Sequence, residues 1–380
     1  FGDEGAVKTQ LKEGSGWKSP SADSEVFLSL KATGADGAVI EERPDFEFIV
    51  GSESLGTLSK VCNAALKGMK KGEEVQLKLS KEYAYGDKHP EGATLTLTLH
   101  EIYETKDVSF SKDKSVMKKS TKEGEGWDTP KDSWTVKLKV ETATDGSAPI
   151  PGFQPQTLEF TAGNGDVCDA LEMAALEMKN GEQAVLTVCP ATLALEARLG
   201  LKDAKVDTIV LKLEMVEFVK GKDTWNMDDA EKVEHGVARK DVGSALFKQG
   251  RLALALQKYK KIENMFNYVD NFKEEDNKTK AKAVRLACQL NSAAVQLKLK
   301  EYGEAKAACN SVLKDEKGNV KALYRRAQAE LGLKNFQESM ADCRKVVELD
   351  PQNKEARALL KQAQTCQKEE DKKAKGLFAN

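Results

Sequence analysis

The sequence predicts a multidomain protein in which two α+β domains, each an antiparallel sheet wrapped on a short helix, precede an all-α superhelix. Two internal repeats predict this order. A unit of about 110 residues occurs twice in the first 220 residues, and a unit of 34 residues recurs in the remainder. A chain of 380 residues has room for two or three domains. We place the domains at 1–108, 109–221 and 222–353, with a C-terminal helix at 354–380.

The longer repeat is visible in two short motifs. Lys-Glu-Gly-Ser-Gly-Trp at 12–17 returns as Lys-Glu-Gly-Glu-Gly-Trp at 122–127, a shift of 110 residues. Met-Lys-Lys-Gly-Glu at 69–73 returns as Met-Lys-Asn-Gly-Glu at 178–182, a shift of 109. Two homologous domains therefore occupy this part of the chain.

Each copy of this unit has the pattern of a sheet with one helix. Apolar and polar residues alternate at 75–79 and 136–140, which predicts half-buried strands. A short helix is expected before each Met-Lys motif, at about 59–68 and about 168–176. One helix packed across a sheet is an α+β arrangement.

The shorter repeat consists of small and apolar residues at fixed positions. Each of four such residues recurs 34 residues later: Ala293, Ala305, Cys309 and Val312 return as Ala327, Ser339, Cys343 and Val346. A weaker first unit has residues of the same kind at Gly243, Ala255, Tyr259 and Ile262. Small residues let two antiparallel helices approach closely, and 34 residues is the length of the tetratricopeptide (TPR) repeat. We therefore expect three TPR units rather than a generic helical bundle.

The chain between and after these units is polar. About 16 additional residues separate the first two units, and we place them near 271–282. The closing segment 354–375 predicts a polar, basic helix that caps the array, because a helical array needs a polar outer face at its end. Binding of calmodulin to this helix is the alternative.

Composition excludes several classes of function. The net charge is −2, so no strong basic field for nucleic acid is expected. No apolar run reaches the roughly 18 residues that would span a membrane. Seven cysteines without Cys-x-x-Cys spacing predict reduced core thiols in a cytoplasmic protein that could also enter the nucleus. The three histidines form no pair at metal-ligand spacing, so neither a metal nor another cofactor is expected.

Two motifs in the first domain resemble the FK506-binding protein (FKBP) fold: Gly-Met-Lys-Lys-Gly-Glu at 68–73 and Lys-Glu-Tyr-Ala-Tyr-Gly at 81–86. Two such domains before three TPR units resemble the large FKBP-type immunophilins. The segments 218–225 and 320–327 are most similar to plant or algal members. The resemblance implies a peptidyl-prolyl isomerase (rotamase) family. It also implies a further N-terminal FKBP domain and a continuing C-terminal helix, so we expect the chain to be a fragment.

The same resemblance assigns remnant pocket positions to Phe46, Cys62 and Tyr85. Phe46 and Tyr85 match the family, whereas Cys62 takes the position of a tryptophan floor. Other pocket positions have changed as well: Leu30, Ile40 and Glu41 in the first domain, and Val140, Leu158 and Leu171 in the second. Isomerase catalysis depends on desolvating the X-Pro amide in an aromatic pocket. We therefore expect both domains to act as spacers or client contacts, and we assign no catalytic residue in either. Weak isomerase activity of the first domain is the alternative.

Five polar residues on the 34-residue repeat form the candidate binding site: Lys240, Ser244, Asn291, Lys321 and Arg325. Superposed on the repeat they would converge on one concave face, and two lysines, an arginine and an amide suit a carboxylate ligand. In TPR co-chaperones these positions carry a carboxylate clamp for the Glu-Glu-Val-Asp tail of Hsp90 or Hsp70, although Ser244 replaces the usual Asn. The resemblance thus implies an Hsp90 co-chaperone, with Hsp70 or another acidic-tailed partner as alternatives.

Overall fold

The computed structural model describes residues 5–22 and 24–377, with side chains up to residue 372. The expectations about the two chain ends at 1–4 and 378–380 lie outside these residues. The first domain is an antiparallel five-stranded sheet in the order β1-β4-β5-β2-β3 with one helix. Its elements are β1 Ala6–Lys12, β2 Glu25–Thr33, β3 Val39–Ile49, α1 Ser59–Leu66, β4 Glu74–Leu79 and β5 Ala93–Ile102.

The predicted alternation decides which face of this sheet is buried. In β5, Leu95, Leu97 and Leu99 are fully buried while the threonines between them are partly exposed. Val61, Cys62 and Leu66 of α1 belong to the same core as these leucines. Because side chains alternate along a strand, one face of the sheet packs on α1 and the other faces solvent. The α+β prediction for this domain is confirmed.

The second domain repeats this arrangement. Its sheet has the order β6-β7-β10-β11-β8-β9, all antiparallel. The elements are β6 Glu104–Asp107, β7 Val116–Lys122, β8 Thr135–Thr144, β9 Gln156–Thr161, α2 Asp169–Ala175, β10 Gln183–Val188 and β11 Ile209–Val219. The additional strand β6 comes from the connection between the domains and pairs with β7, so the connection forms part of the second sheet.

In the described part of the chain seven α-helices follow, as three antiparallel pairs and a single last helix. They are α3 Asp229–Lys248, α4 Leu252–Met265, α5 Glu275–Lys298, α6 Tyr302–Asp315, α7 Val320–Gly332, α8 Phe336–Leu349 and α9 Lys354–Leu377. Within the first pair, Tyr259 lies against Gly243, where an added Cβ would collide with its ring. Ala293 and Cys309 are fully buried between α5 and α6, as Ala327 and Cys343 are between α7 and α8. The prediction of small residues at close helix contacts is confirmed.

The residues that interrupt the 34-residue period lengthen one helix. After a short turn at Val269–Asn271, α5 begins at Glu275 and has 24 residues, against 13 in α7. The insertion predicted near 271–282 therefore forms the connection and the first turns of α5. At the other end, α9 packs on α7 and α8 and buries Ala356, Leu359 and Ala363. Its first half thus caps the helical array.

The cysteines are not all core residues, which corrects the sequence prediction. All seven are free thiols, and four of them are fully buried: Cys62, Cys288, Cys309 and Cys343. Cys189 is exposed because it follows the end of β10, while Cys168 and Cys366 are half-buried. Among residues 5–22 and 24–377, no helix has the length and apolar character needed to cross a membrane.

Candidate functional site

The five candidate residues lie on the first helix of each pair. Lys240 and Ser244 are on α3, Asn291 is on α5, and Lys321 and Arg325 are on α7. Since α3 packs beside α5, and α5 beside α7, these three helices form one continuous layer. We call the five residues the clamp cluster. Its members are one helical turn apart within α3 and within α7, so each pair lies on one side of its helix.

A tyrosine joins the α3 and α5 parts of the clamp cluster. The Tyr259 hydroxyl on α4 donates to Ser244 Oγ at 3.3 Å, and the Asn291 side chain of α5 lies close to the same hydroxyl. Ser244 Oγ in turn donates to the Lys240 carbonyl oxygen at 3.0 Å. Burial raises the pKa of Tyr259, so the hydroxyl keeps its proton at neutral pH. The hydroxyl hydrogen of Ser244 is therefore engaged in a hydrogen bond within α3 and is not available to a ligand.

Arg325 reaches from α7 to α5. Its Nη1 donates to the Leu290 carbonyl oxygen at 2.7 Å, next to Asn291. Burial lowers the pKa of Arg325, but a guanidinium remains charged at neutral pH. Lys321 is exposed one turn away and has no carboxylate within ion-pair distance among the residues that the structure describes. The α7 side of the clamp cluster therefore carries two positive charges without a counterion.

Lys240 has a partner of its own. Its Nζ lies 2.9 Å from Asp241 Oδ1, and the Asp241 side chain is 65% exposed. Neither Asp241 nor the hydroxyl of Tyr259 is among the residues predicted for this site. Asp241 could have been found in the sequence, because it is an acid immediately after a clamp lysine. The role of Tyr259 could not, because it depends on how α4 packs on α3.

The remnant pocket of the first domain is organised around Glu41. Tyr85 Oη donates to Glu41 Oε2 at 3.0 Å, and Arg43 Nε donates to Glu41 Oε1 at 2.6 Å. Burial, together with the charge of Glu41, raises the pKa of the Cys62 thiol to about 12. Burial and the hydrogen bond to Glu41 also raise the pKa of Tyr85. Tyr85 thus bonds the carboxylate whose charge also acts on Cys62, and the Tyr85 hydroxyl and the Cys62 thiol both stay protonated at neutral pH.

Phe46 belongs to the same neighbourhood and is half-buried against the core that contains Cys62. Leu30 is buried in that core, while Ile40 packs at its edge. In the second domain the three corresponding positions have become core: Val140, Leu158 and Leu171 are all buried. The first domain therefore keeps half-buried aromatic rings around a polar centre, and the second does not.

The fold and the clamp cluster together define a class, a multidomain immunophilin with α+β domains in front of a TPR array. A model of FKBP-type peptidyl-prolyl cis-trans isomerase matches residues 16–111, and a tetratricopeptide repeat model matches residues 290–354. The chain is 31% identical over 395 residues to peptidyl-prolyl cis-trans isomerase FKBP4 of Bos taurus, covering 100% of this chain and 84% of the relative. The chain belongs to the FKBP-type peptidyl-prolyl cis-trans isomerase family.

Two further proteins are similar to this chain. FK506-binding protein 59 of Drosophila melanogaster is 30% identical over 395 residues, covering 100% of this chain and 87% of the relative. The crystal structure of the three FKBP domains of wheat FKBP73 is 30% identical, covers 58% of this chain and 97% of that chain, and gives a TM-score of 0.44.

Proposed function

We propose that this protein is a co-chaperone whose TPR array binds the acidic C-terminal tail of Hsp90, and that it acts in the cytoplasm and nucleus. The observation that supports this best is the pair Lys321 and Arg325. They are two cations one turn apart, without a counterion among the described residues, and Arg325 is anchored on the carbonyl of Leu290, next to Asn291. Such an arrangement favours a ligand with two neighbouring carboxylates, as at the end of a Glu-Glu-Val-Asp peptide.

The roles within the clamp cluster follow from the hydrogen bonds. Lys321 and Arg325 would hold the terminal residue, whose main chain and side chain each supply a carboxylate. Asn291 would donate its amide to the same end, and Lys240 would contact it after exchanging Asp241 for the ligand. Ser244 supports Tyr259 instead of contacting the peptide. Hsp90 and Hsp70 tails end alike, so their different upstream residues would decide the preference.

Substitution of the α7 cations tests this proposal. Charge-assisted hydrogen bonds contribute roughly 1.5–3 kcal/mol each, so Lys321→Ala or Arg325→Ala should weaken the peptide at least about tenfold. Calorimetric titration with Hsp90 and Hsp70 tail peptides measures this effect and any preference between them. Lys314→Ala on α6 is the matched control, because it removes an exposed lysine from a second helix of the array. Unchanged binding by the Lys321→Ala/Arg325→Ala double variant would reject the co-chaperone function.

We propose in addition that the two FKBP-like domains of this chain act as spacer and client-contact modules. Cys62 gives a proline ring or FK506 no flat aromatic floor, and the corresponding Leu171 is sealed in a core. In a coupled assay on an X-Pro peptide, the chain should accelerate isomerisation far less than an FKBP domain with an intact aromatic pocket. Robust turnover that FK506 inhibits would favour the alternative, an active first domain built around Tyr85.

Binding of calmodulin at the C-terminal helix remains a prediction. The first half of α9 is occupied in capping the array, with Ala356, Leu359 and Ala363 buried. A calmodulin complex would therefore have to use the turns after Ala363 or detach the helix. Calcium-dependent gel shift of the chain with calmodulin, compared with a chain that stops at residue 365, would distinguish these cases.

A further inference from the structure

The second FKBP-like domain contacts the TPR array through a buried arginine. Arg239 of α3 is a bidentate donor to Asp132, with Nε and Nη2 each 2.8 Å from a carboxylate oxygen. The same guanidinium donates to Asn164 Oδ1 at 2.5 Å and to the Gly163 carbonyl oxygen at 3.1 Å. All four bonds cross from the helical array into the second domain. Since the Arg239 side chain is only 9% exposed, this is not a solvated surface pair.

A lysine from the next helix completes this ion cluster. Lys258 of α4 is 0% exposed, and its Nζ also pairs with Asp132. Burial lowers the pKa of Lys258 to about 8, although the charge of Asp132 opposes this shift. Burial alone would raise the pKa of Asp132, but the charges of Lys258 and Arg239 outweigh it and lower the pKa. One carboxylate of the second domain therefore holds two helices of the array at once.

Arg251 forms a second attachment at the start of α4. Its Nε donates to Asp169 Oδ1 at 2.6 Å, and Nη1 and Nη2 donate to the carbonyl oxygens of Gly165 and Val167 at 2.6 and 2.7 Å. The loop that offers these carbonyls is held from inside by buried Glu172, which accepts from the amides of Gly163 and Gly165 at 2.7 and 2.8 Å.

The shape of this loop is specific to the attachment. Gly163 and Gly165 have φ angles of 79° and 78°, in the left-handed region that favours glycine. An added Cβ at Gly163 would collide with Lys258, and one at Gly165 would collide with Arg251. Apolar contact is added by Phe110, which packs against the cores of both the second domain and the first helix pair. We call this set of contacts the joint.

The joint uses residues that the first domain lacks. By the repeat shifts of 110 and 109, Asp132, Asp169 and Glu172 correspond to Ala22, Lys60 and Asn63. Asn63 makes the same loop-holding bond as Glu172, since its Oδ1 accepts from the Gly51 amide at 2.7 Å. The two domains therefore share the loop, but only the second has acids at the positions that face the array.

The joint adjoins the clamp cluster along both α3 and α4. Arg239 precedes Lys240 on α3, and Lys258 precedes Tyr259 on α4. Tyr259 is the residue whose hydroxyl bonds Ser244 and lies close to Asn291. A shift of α4 relative to α3 would move this hydroxyl and hence the α3 and α5 parts of the site. Loss of Asp132 would release both helices from the surface that fixes their separation.

From these contacts we propose that Asp132 of the second FKBP-like domain is a positioning residue for the clamp cluster, acting through Arg239 and Lys258. The second domain is then an N-terminal cap that sets the geometry of the first TPR unit, as α9 covers the other end. This inference rests on the proposed function, because it concerns the ligand of the same site. It also implies linkage: peptide binding must stabilise the joint as much as the joint favours peptide binding.

Two variants of the full chain test this proposal. Asp132→Asn removes the charge while keeping the shape, and Asp169→Asn loosens the Arg251 attachment while leaving its two backbone carbonyls in place. Neither residue belongs to the clamp cluster. We expect Asp132→Asn to weaken a Glu-Glu-Val-Asp peptide roughly fivefold or more in calorimetry, the usual scale of coupling between linked sites. A smaller loss in the same direction is expected from Asp169→Asn.

Hydrogen exchange supplies a readout that a purely structural role would not change. In the parent chain, peptide should slow amide exchange at residues 162–167, which lie in the second domain outside the clamp cluster. In Asp132→Asn this protection should disappear, and α3 and α4 should exchange faster even without peptide. Arg325→Ala, in contrast, should lose the peptide without changing exchange in the joint.

Each outcome decides one part of the proposal. If the Asp132→Asn variant shows faster exchange in the joint but its peptide affinity stays within twofold of the parent's, the positioning role is overturned. Unaltered exchange at 162–167, α3 and α4 in Asp132→Asn would overturn the claim that this carboxylate holds the joint. If the parent chain itself fails to bind peptide, the proposed function is wrong, and the exchange of the peptide-free chains still decides whether Asp132 fixes the two helices.

Discussion

The two FKBP-like domains share the order of five strands and the same loop-to-helix bond, yet they present different surfaces. The first keeps half-buried Phe46 and Tyr85 around Glu41 and has Ala22 exposed at the position of Asp132. In the second domain the pocket positions are buried in the hydrophobic core, and the loop at 162–167 forms part of the joint. A duplicated fold can therefore exchange a ligand pocket for an intramolecular interface without a change in topology.

The difference concerns where charge is buried. A carboxylate in a protein interior is tolerated only when it is paired and hydrogen-bonded. Asp132 meets this condition because Arg239 and Lys258 approach it from two helices. The corresponding surface of the first domain has no helix against it among the described residues, so no such acid is required there.

The largest effect is expected from removing the paired acid. Asp132→Ala leaves Lys258 and Arg239 buried without their carboxylate, which should lower the free energy of unfolding of the jointed domains by about 3–5 kcal/mol. Ala22→Asp is the matched control in the first domain, and at that exposed site the change should stay within about 0.5 kcal/mol. Denaturant unfolding followed by tryptophan fluorescence measures both. Equal effects would mean that the two domains do not differ as described.

A matched pair of tryptophan substitutions compares the former pockets. Leu171→Trp overpacks a closed core and should cost about 1–3 kcal/mol. Cys62→Trp should cost less, because half-buried Phe46 and Tyr85 can move toward solvent, and only this variant should gain measurable FK506 binding. Thermal unfolding and a fluorescence titration check the two parts. A stable Cys62→Trp variant without any gain in binding would show that Cys62 does not occupy the pocket floor.

Moderate acid should loosen the joint but not the corresponding loop of the first domain. Burial, together with the charges of Arg239 and Lys258, lowers the pKa of His235 below 6.5, while Asp132 opposes the shift. The unfolded chain then binds more protons below pH 6.5, so the stability from neutral His235 is full above pH 6.5 and is lost as pH falls below it. Protection of the amides at 162–167, taken as the exchange rate relative to the intrinsic rate at each pH, should therefore fall between pH 7 and the folded pKa more in the parent than in His235→Gln. The same acid dependence in both proteins would exclude His235 as its origin.

The smallest effect is expected where the two domains are alike. Trp17 and Trp127 are 85% and 95% exposed, and each has a lysine over its ring at 5.8 and 5.7 Å. Because exposed side chains contribute little to stability, Trp17→Ala and Trp127→Ala should each change the free energy of unfolding by about 0.5 kcal/mol or less. A large loss for Trp127 alone would reveal a second contact that distinguishes the domains.

Periodic features of the chain were predictable from the sequence because they are local. The alternation in β4 and β8, the short helices before each Met-Lys motif and the 34-residue recurrence all follow from side-chain spacing along one element. The four-residue spacing also predicts that Lys240 lies beside Ser244, and Lys321 beside Arg325, because residues one turn apart share a helix face. The exposure of Cys189 could not be inferred in this way, because it depends on where β10 ends.

The order of the domains, the pairing of the helices and the positions of the candidate clamp residues follow from the repeats alone. The contact of Asp132 with Arg239 and Lys258, which are 107 and 126 residues away, is visible only in the folded chain. In the sequence these residues look like the charged positions of any solvated helix or loop. Their environment is set by how two independently folded units dock, and the energy of a charge depends on that environment far more than on its neighbours along the chain.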